Sequence, residues 1–160
     1  MGPGISVSEE GDINFLREAI RGLEHSKIYV GIPEDETIRP DEEITNAALM
    51  YIHTNGSLIR NIPPRPVIEP AIEAEGNRQN IEAGLNAVVN ARLDGNVEQA
   101  KSAMEAVGTI GSNAAKRWFT DPRNGWKANS EMTIARKGSD RPLIDTGELR
   151  RSITHIEEID

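Results

Sequence analysis

Apolar residues recur at helical spacing over most of this chain and alternate in only two short places. Near the start, Phe15, Leu16, Ala19, Ile20 and Leu23 make one stripe with Asp12 placed to cap it, which predicts a first helix. Lys-Ile-Tyr-Val-Gly-Ile over 27–32 predicts a strand stopped by Pro33. Residues 34–43 are acidic, contain Pro40 and show no periodicity, so they predict an exposed loop, long enough to serve as an arm ordered by assembly. A short helix over 44–53 follows, with Ala47, Ala48, Tyr51 and Ile52 inward and Gly56 just past its end. Residues 58–62 fit a second strand or one arm of a hairpin. Pro63, Pro64 and Pro66 then force an extended lead into a helix.

That helix is predicted over 69–93, weakened near Gly76, with Ile81, Leu85, Val88, Val89 and Leu93 on one face. Asp94-Gly95-Asn96 ends it, Gly95 taking the left-handed position and Asn96 capping the next helix with Gln99 three residues on. The next helix runs to about residue 119 on a stripe from Val97 through Ala100, Met104, Val107, Gly111 and Ala115 to Trp118. Small residues at 108, 111, 114 and 115 allow another backbone to come close. The two helices form an antiparallel hairpin that supplies the bulk of the core.

Asp121-Pro122 stops the chain's longest periodic run, and Trp126 folds back as a loop anchor. Ser130 caps a short helix to about 137. Gly138, Ser139, Asp140 and Pro142 then favour turns before Leu143 and Ile144 return to the core. Asp145 fits an N-cap with Glu148 answering it, and Leu149 and Ile153 share a face while Arg150 and Arg151 point elsewhere. Residues 154–159 predict a last strand, paired with 27–32. The fold class is α+β: a helix-rich single domain over 12–160, preceded by a flexible segment over 1–11. Its long antiparallel helix hairpin packs on a small, mostly antiparallel sheet.

With 160 residues, the chain is long enough for one real core. Aromatics are only 4%, so that core is aliphatic and alanine-rich. There are no cysteines, which removes disulfides, thiolate metal sites and cysteine nucleophiles. No apolar run approaches a membrane span and no signal-peptide core is present, which predicts a soluble protein made in the cytoplasm. The net charge of −8 argues against wrapping nucleic acid, and suits a channel that DNA slides through without sticking. Most of the acid lies in the first hundred residues. Lys116, Arg117, Arg123, Lys127, Arg136, Lys137, Arg141, Arg150 and Arg151 make the last third basic by comparison. Such polarity has two readings: a basic face that meets DNA, or a basic end of one subunit meeting the acidic flank of the next, the heterologous contact that a ring needs; the net charge of −8 favours the ring.

Catalytic patterns are absent: no His-Glu-x-x-His, no phosphate-cradling glycine loop, no Gly-x-Ser-x-Gly and no Cys/His metal spacing. Asp145-Thr146-Gly147 resembles an aspartic-protease triplet, but here it opens a helix, so capping accounts for Asp145 and Thr146. His53 lacks a ligand set or triad partner nearby and reads as a structural residue of its turn. No cofactor, metal or enzymatic activity is expected.

Three segments carry a family resemblance: Tyr51-Ile52-His53-Thr54-Asn55-Gly56, Ile62-Pro63-Pro64-Arg65-Pro66, and the late run through Pro142-Leu143-Ile144-Asp145-Thr146-Gly147-Glu148-Leu149 to Ser152-Ile153. In this order they resemble the neck, head–tail joining and tail-completion proteins of tailed bacteriophages, the virion morphogenesis proteins. The match spans roughly residues 47 to 153. It departs at Val67, where members often carry Phe, and at Thr54-Asn55, where Glu-Phe is common.

The resemblance implies a structural virion protein, made in the host cytoplasm, that forms a hexameric or dodecameric ring in the neck and lets DNA pass as cargo. Its neighbours would be the portal or adaptor and the tail tube or terminator. Interface candidates are Arg65, Pro66, Arg136, Lys137, Arg141, Asp145, Thr146, Arg150 and Arg151, with Gly56, Gly95, Asn96 and Gly147 as structural turns. A solvated Arg65 on a stiff connector is the other reading of that residue. A tail terminator ring is an alternative, as is a small nucleic-acid-binding regulator using the basic last third.

Overall fold

A computed structural model describes residues 9–34, 44–129 and 147–159. The expected acidic loop over 34–43, beyond its first residue, lies outside these, as do the short helix from Ser130 and the side chains of Arg136, Lys137, Arg141, Asp145 and Thr146. The order of elements is α1 (Glu9–Glu24), β1 (Lys27–Gly31), α2 (Asn46–Asn55), α3 (Ile68–Glu73), α4 (Asn77–Leu93), α5 (Val97–Trp118), a 3₁₀ turn (Pro122–Asn124), α6 (Glu148–Arg151) and β2 (Thr154–Glu158). The architecture is α+β, with an α4–α5 hairpin packed on a two-stranded antiparallel sheet. α1 begins at Glu9, three residues before Asp12.

α5 is the axle. Its buried face carries Ala100, Met104, Val107, Gly111, Ala114, Ala115 and Trp118; α3, α4, β1 and β2 lean on it, and α1 leans on α4. β1 and β2 pair from Lys27–Glu158 to Gly31–Thr154 and lie across α5. The small residues set how close they come. A Cβ on Gly111 would sit 2.9 Å from Val30 Cγ2, and one on Gly108 would overlap the His155 ring. Close backbone approach thus offsets the helix propensity that each glycine forfeits, on the order of 1 kcal/mol relative to alanine.

The expected long helix over 69–93 is two helices. Pro70 sits in the first turn of α3, where its missing N–H costs nothing. Ala74 is extended and Gly76 takes φ +88°, so the ladder stops and restarts at Asn77, whose side-chain amide donates to Ala71 O at 2.8 Å. Arg123 braces the break from outside, donating to Glu75 O at 3.2 Å.

The turn between α4 and α5 does what its residues predict. Gly95 N–H donates to Arg92 O and Asn96 N–H to Ala91 O, a Schellman ending. Asn96 Oδ1 then accepts from Gln99 N–H at 3.0 Å and caps α5. Gln99 answers through the Asn96 side-chain amide rather than through its backbone N–H.

Two buried clusters result. One gathers Met50, Val67, Ala71, Ala115, Trp118, Phe119, Leu149 and Ile153; the other gathers Val88, Ala91, Ala100 and Met104. The residue at the start of α6 is Gly147, in the left-handed conformation; the expected cap, Asp145, lies outside the described residues. Glu148 turns instead to α2 and accepts from the Asn46 side-chain amide at 3.3 Å. Among the described residues, no helix is long and apolar enough to cross a membrane.

Candidate assembly surface

The segments singled out in the sequence meet at the first cluster. α2 is capped by Thr45 and ended by Gly56, at φ +72°, whose N–H donates to Ile52 O at 2.7 Å. A Cβ on Gly56 would press against the backbone, 2.8 Å from Ile62 O and 2.9 Å from Pro64 N. Only glycine fits there, and it lets the proline segment fold back over the end of α2. The next contact follows directly: Arg65 N–H donates to His53 O at 2.6 Å. Val67 is then delivered to the core beside Met50, with Leu149 of α6 and Ile153 just beyond it in the same cluster.

Arg65 is not the solvated side chain that a stiff connector suggests; its guanidinium is turned into the fold. It is 7% exposed, and its Nε and Nη2 donate to Lys127 O at 3.2 and 2.9 Å, with Nη2 also 3.4 Å from Asn129 Oδ1. Burial draws its pKa down from the ordinary arginine value. Its role is to pin the loop after α5 to the proline segment. Trp126 does the same from the other side: its Nε1 donates to Pro66 O at 3.1 Å and its ring meets Phe119 edge-on at 5.7 Å.

Pro66 itself is exposed, at the rim of a cleft of about 440 Å³ shared with Thr54, Ile68, Glu69, Ile72 and Glu73. Arg151 is exposed on α6 and Arg150 is half-buried. Arg123, counted in the basic cluster, is committed within the fold. It pairs with Asp121 at 2.7 Å and lies 5.6 Å over the Trp118 ring. That guanidinium holds the Asp121 carboxyl below the usual carboxylate range.

Among the described residues, several uncovered apolar features were not read as such from sequence. Leu58 and Ile59 are 101% and 99% exposed at the tip of a tight turn, not inside a strand. Ser57 and Ile62 exchange both backbone hydrogen bonds at 2.8 Å, and Asn61 at φ +52° closes the loop. The stripe on α1 is only partly covered: Ala19 is buried, whereas Ile13, Leu16 and Ile20 remain about half exposed. On α4, Val88 is buried and Leu85, Val89 and Leu93 are exposed. Between α4 and β1 lies an apolar groove of about 500 Å³, lined by Leu23, Ile28, Val30, Ile81, Leu85 and Val89 and floored by Met104, Val107 and Gly111 of α5. An apolar doublet within a polar turn was the one sequence signal for the tip.

One polar constellation bridges α5 and β2. His155 Nδ1 lies 2.7 Å from Glu157 Oε1 and its Nε2 lies 3.3 Å from Thr109 Oγ1. The order hydroxyl–imidazole–carboxylate resembles a nucleophile relay. Thr109, however, sits in mid-helix, where neighbouring N–H groups are spent in the α5 ladder and cannot converge on an oxyanion. The set bolts the sheet to the helix. Among the described residues no group of three His, Cys, Asp or Glu is placed to hold a metal ion.

No protein-family model, curated protein or solved structure matches this chain.

Proposed function

We propose that this chain is a structural assembly subunit, a ring-forming neck protein of a tailed phage with a tail-completion or head–tail connector role. The observation that carries the proposal is the convergence of the three resembling segments. The adjoining Gly56 turn and Pro63–Pro66 run interlock with the distant segment 148–153 around Met50, Val67 and Phe119. Their residue types are therefore explained by one shared support, as expected if they belong to one inherited unit rather than to chance likeness. A second support is the surface: an acidic first part, and apolar features left uncovered at a tip and along a groove.

In this reading DNA passes through the ring as cargo, repelled by net charge −8. The test is solution mass by light scattering, followed by negative-stain imaging and detection of the chain in purified virions. A closed ring of about six or twelve copies that is present in particles is the expected result. A strictly monomeric chain that never enters virions would sink the proposal.

A further inference from the structure

We infer that the Leu58–Ile59 tip of one copy seats in the apolar groove between α4 and β1 of a second copy. The inference rests on the ring reading above and names the surface that would make the ring.

The tip is built to be presented. Gly56, the paired hydrogen bonds of Ser57 and Ile62, and Asn61 at positive φ hold two aliphatic side chains fully in water. A turn needs no such residues for its own geometry, where Asn, Asp, Gly or Ser would do. The groove offers the complement. It is apolar and floored by α5, and Leu85 and Val89 line it while still exposed.

Charge matches as well. Arg60 follows the doublet, and its guanidinium makes no ion pair among the described residues. Ile72 lines both the groove and the adjoining cleft, and that cleft carries the exposed carboxylates of Glu69 and Glu73. Arg60 thus arrives at an acidic rim. Seating the tip would take Leu58 and Ile59, fully exposed in the single chain, out of water against Leu85 and Val89. Tip and groove are different patches, so the contact is heterologous. Each copy that offers a tip still presents an open groove, and closure gives a ring.

Substitutions at the tip touch no core contact, so Leu58→Asp and Ile59→Asp should fold as the wild type does, which circular dichroism checks. Each is expected to weaken self-association at least about tenfold, and the pair about a hundredfold or more. Leu85→Lys in the groove should do the same. Because the chain has no cysteine, introduced thiols report alone. Mixing Ile59→Cys with Leu85→Cys chains should give dimers with a short bis-maleimide, and neither chain alone should.

An oligomer that survives both aspartates and yields no mixed crosslink overturns the docking and leaves the ring reading standing. Dissociation by Leu85→Lys but not by the tip variants means another segment of the second copy fills the groove, which also overturns it. A wild-type chain that stays monomeric at high concentration overturns the docking, and the ring reading is then decided by the virion measurement.

Discussion

Arg65 shows how a single charged side chain can be misjudged from its neighbours. Prolines on both sides suggest a stiff, solvated arm, yet the guanidinium is folded inward onto Lys127 O and Asn129. Replacing it with alanine leaves the part-buried Lys127 carbonyl without its charged donors. Arg65→Ala should cost about 2–3 kcal/mol, lowering Tm by roughly 5–10 °C for a chain of this size. Arg65→Lys, which keeps the charge and loses the fork, should recover part of that in the same thermal melt.

Asp121 gives a pH signature. Its carboxylate caps the 3₁₀ turn through Arg123 N–H at 2.9 Å and pairs with the same residue's guanidinium. The folded-state carboxyl ionises at lower pH than the unfolded one. The stability this contributes is therefore complete above about pH 5 and is lost as pH falls through the folded value. Denaturation of Asp121→Asn against wild type should show a gap at neutral pH that closes in acid; a gap independent of pH would mean that geometry alone matters.

At the scale of elements, contact between α5 and the sheet depends on missing side chains. Gly108 faces the His155 ring and Gly111 faces Val30. Gly108→Ala should destabilise by roughly 1–3 kcal/mol through overpacking, despite alanine's better helix propensity. His155→Ala removes the obstacle. In a double-mutant cycle the two should therefore be non-additive by about 1 kcal/mol or more, with the alanine better tolerated once the ring is gone. Additive effects would place the cost elsewhere. The α3–α4 break is the other decision at this scale. Gly76 is visible in the sequence, but the break at its positive φ is held by two side chains, Asn77 donating to Ala71 O and Arg123 to Glu75 O.

For the whole molecule, salt separates two ways of building a ring. Contact through the acidic and basic ends weakens as the Debye length shrinks from about 10 Å to 3 Å between 0.1 and 1 M salt. Contact through Leu58, Ile59 and the groove is apolar and persists. Light scattering at both salts should therefore find the oligomer intact at 1 M, with Arg60 and its acidic rim adding only a modest salt-sensitive part. Dissociation at 1 M would return the interface to charge polarity.

Periodicity and turn chemistry determined the local elements. The stripe of α5, the Gly95–Asn96 turn between the long helices, the Gly56 helix end and the antiparallel pairing of the last strand with the first all follow from residue types at fixed spacing. These features depend on neighbours a few residues apart, or on alternation that any partner strand would satisfy. Tertiary structure alone decided which apolar faces were covered. Leu85 and Val89 lie on a stripe as regular as those of the core, and they stay exposed because α4 and the sheet rest side by side on α5 with a gap between them. It decided Arg65 in the same way, since the carbonyl that receives it lies 62 residues along the chain. A periodic pattern shows that a face is apolar; only the packed chain shows whether anything is there to meet it.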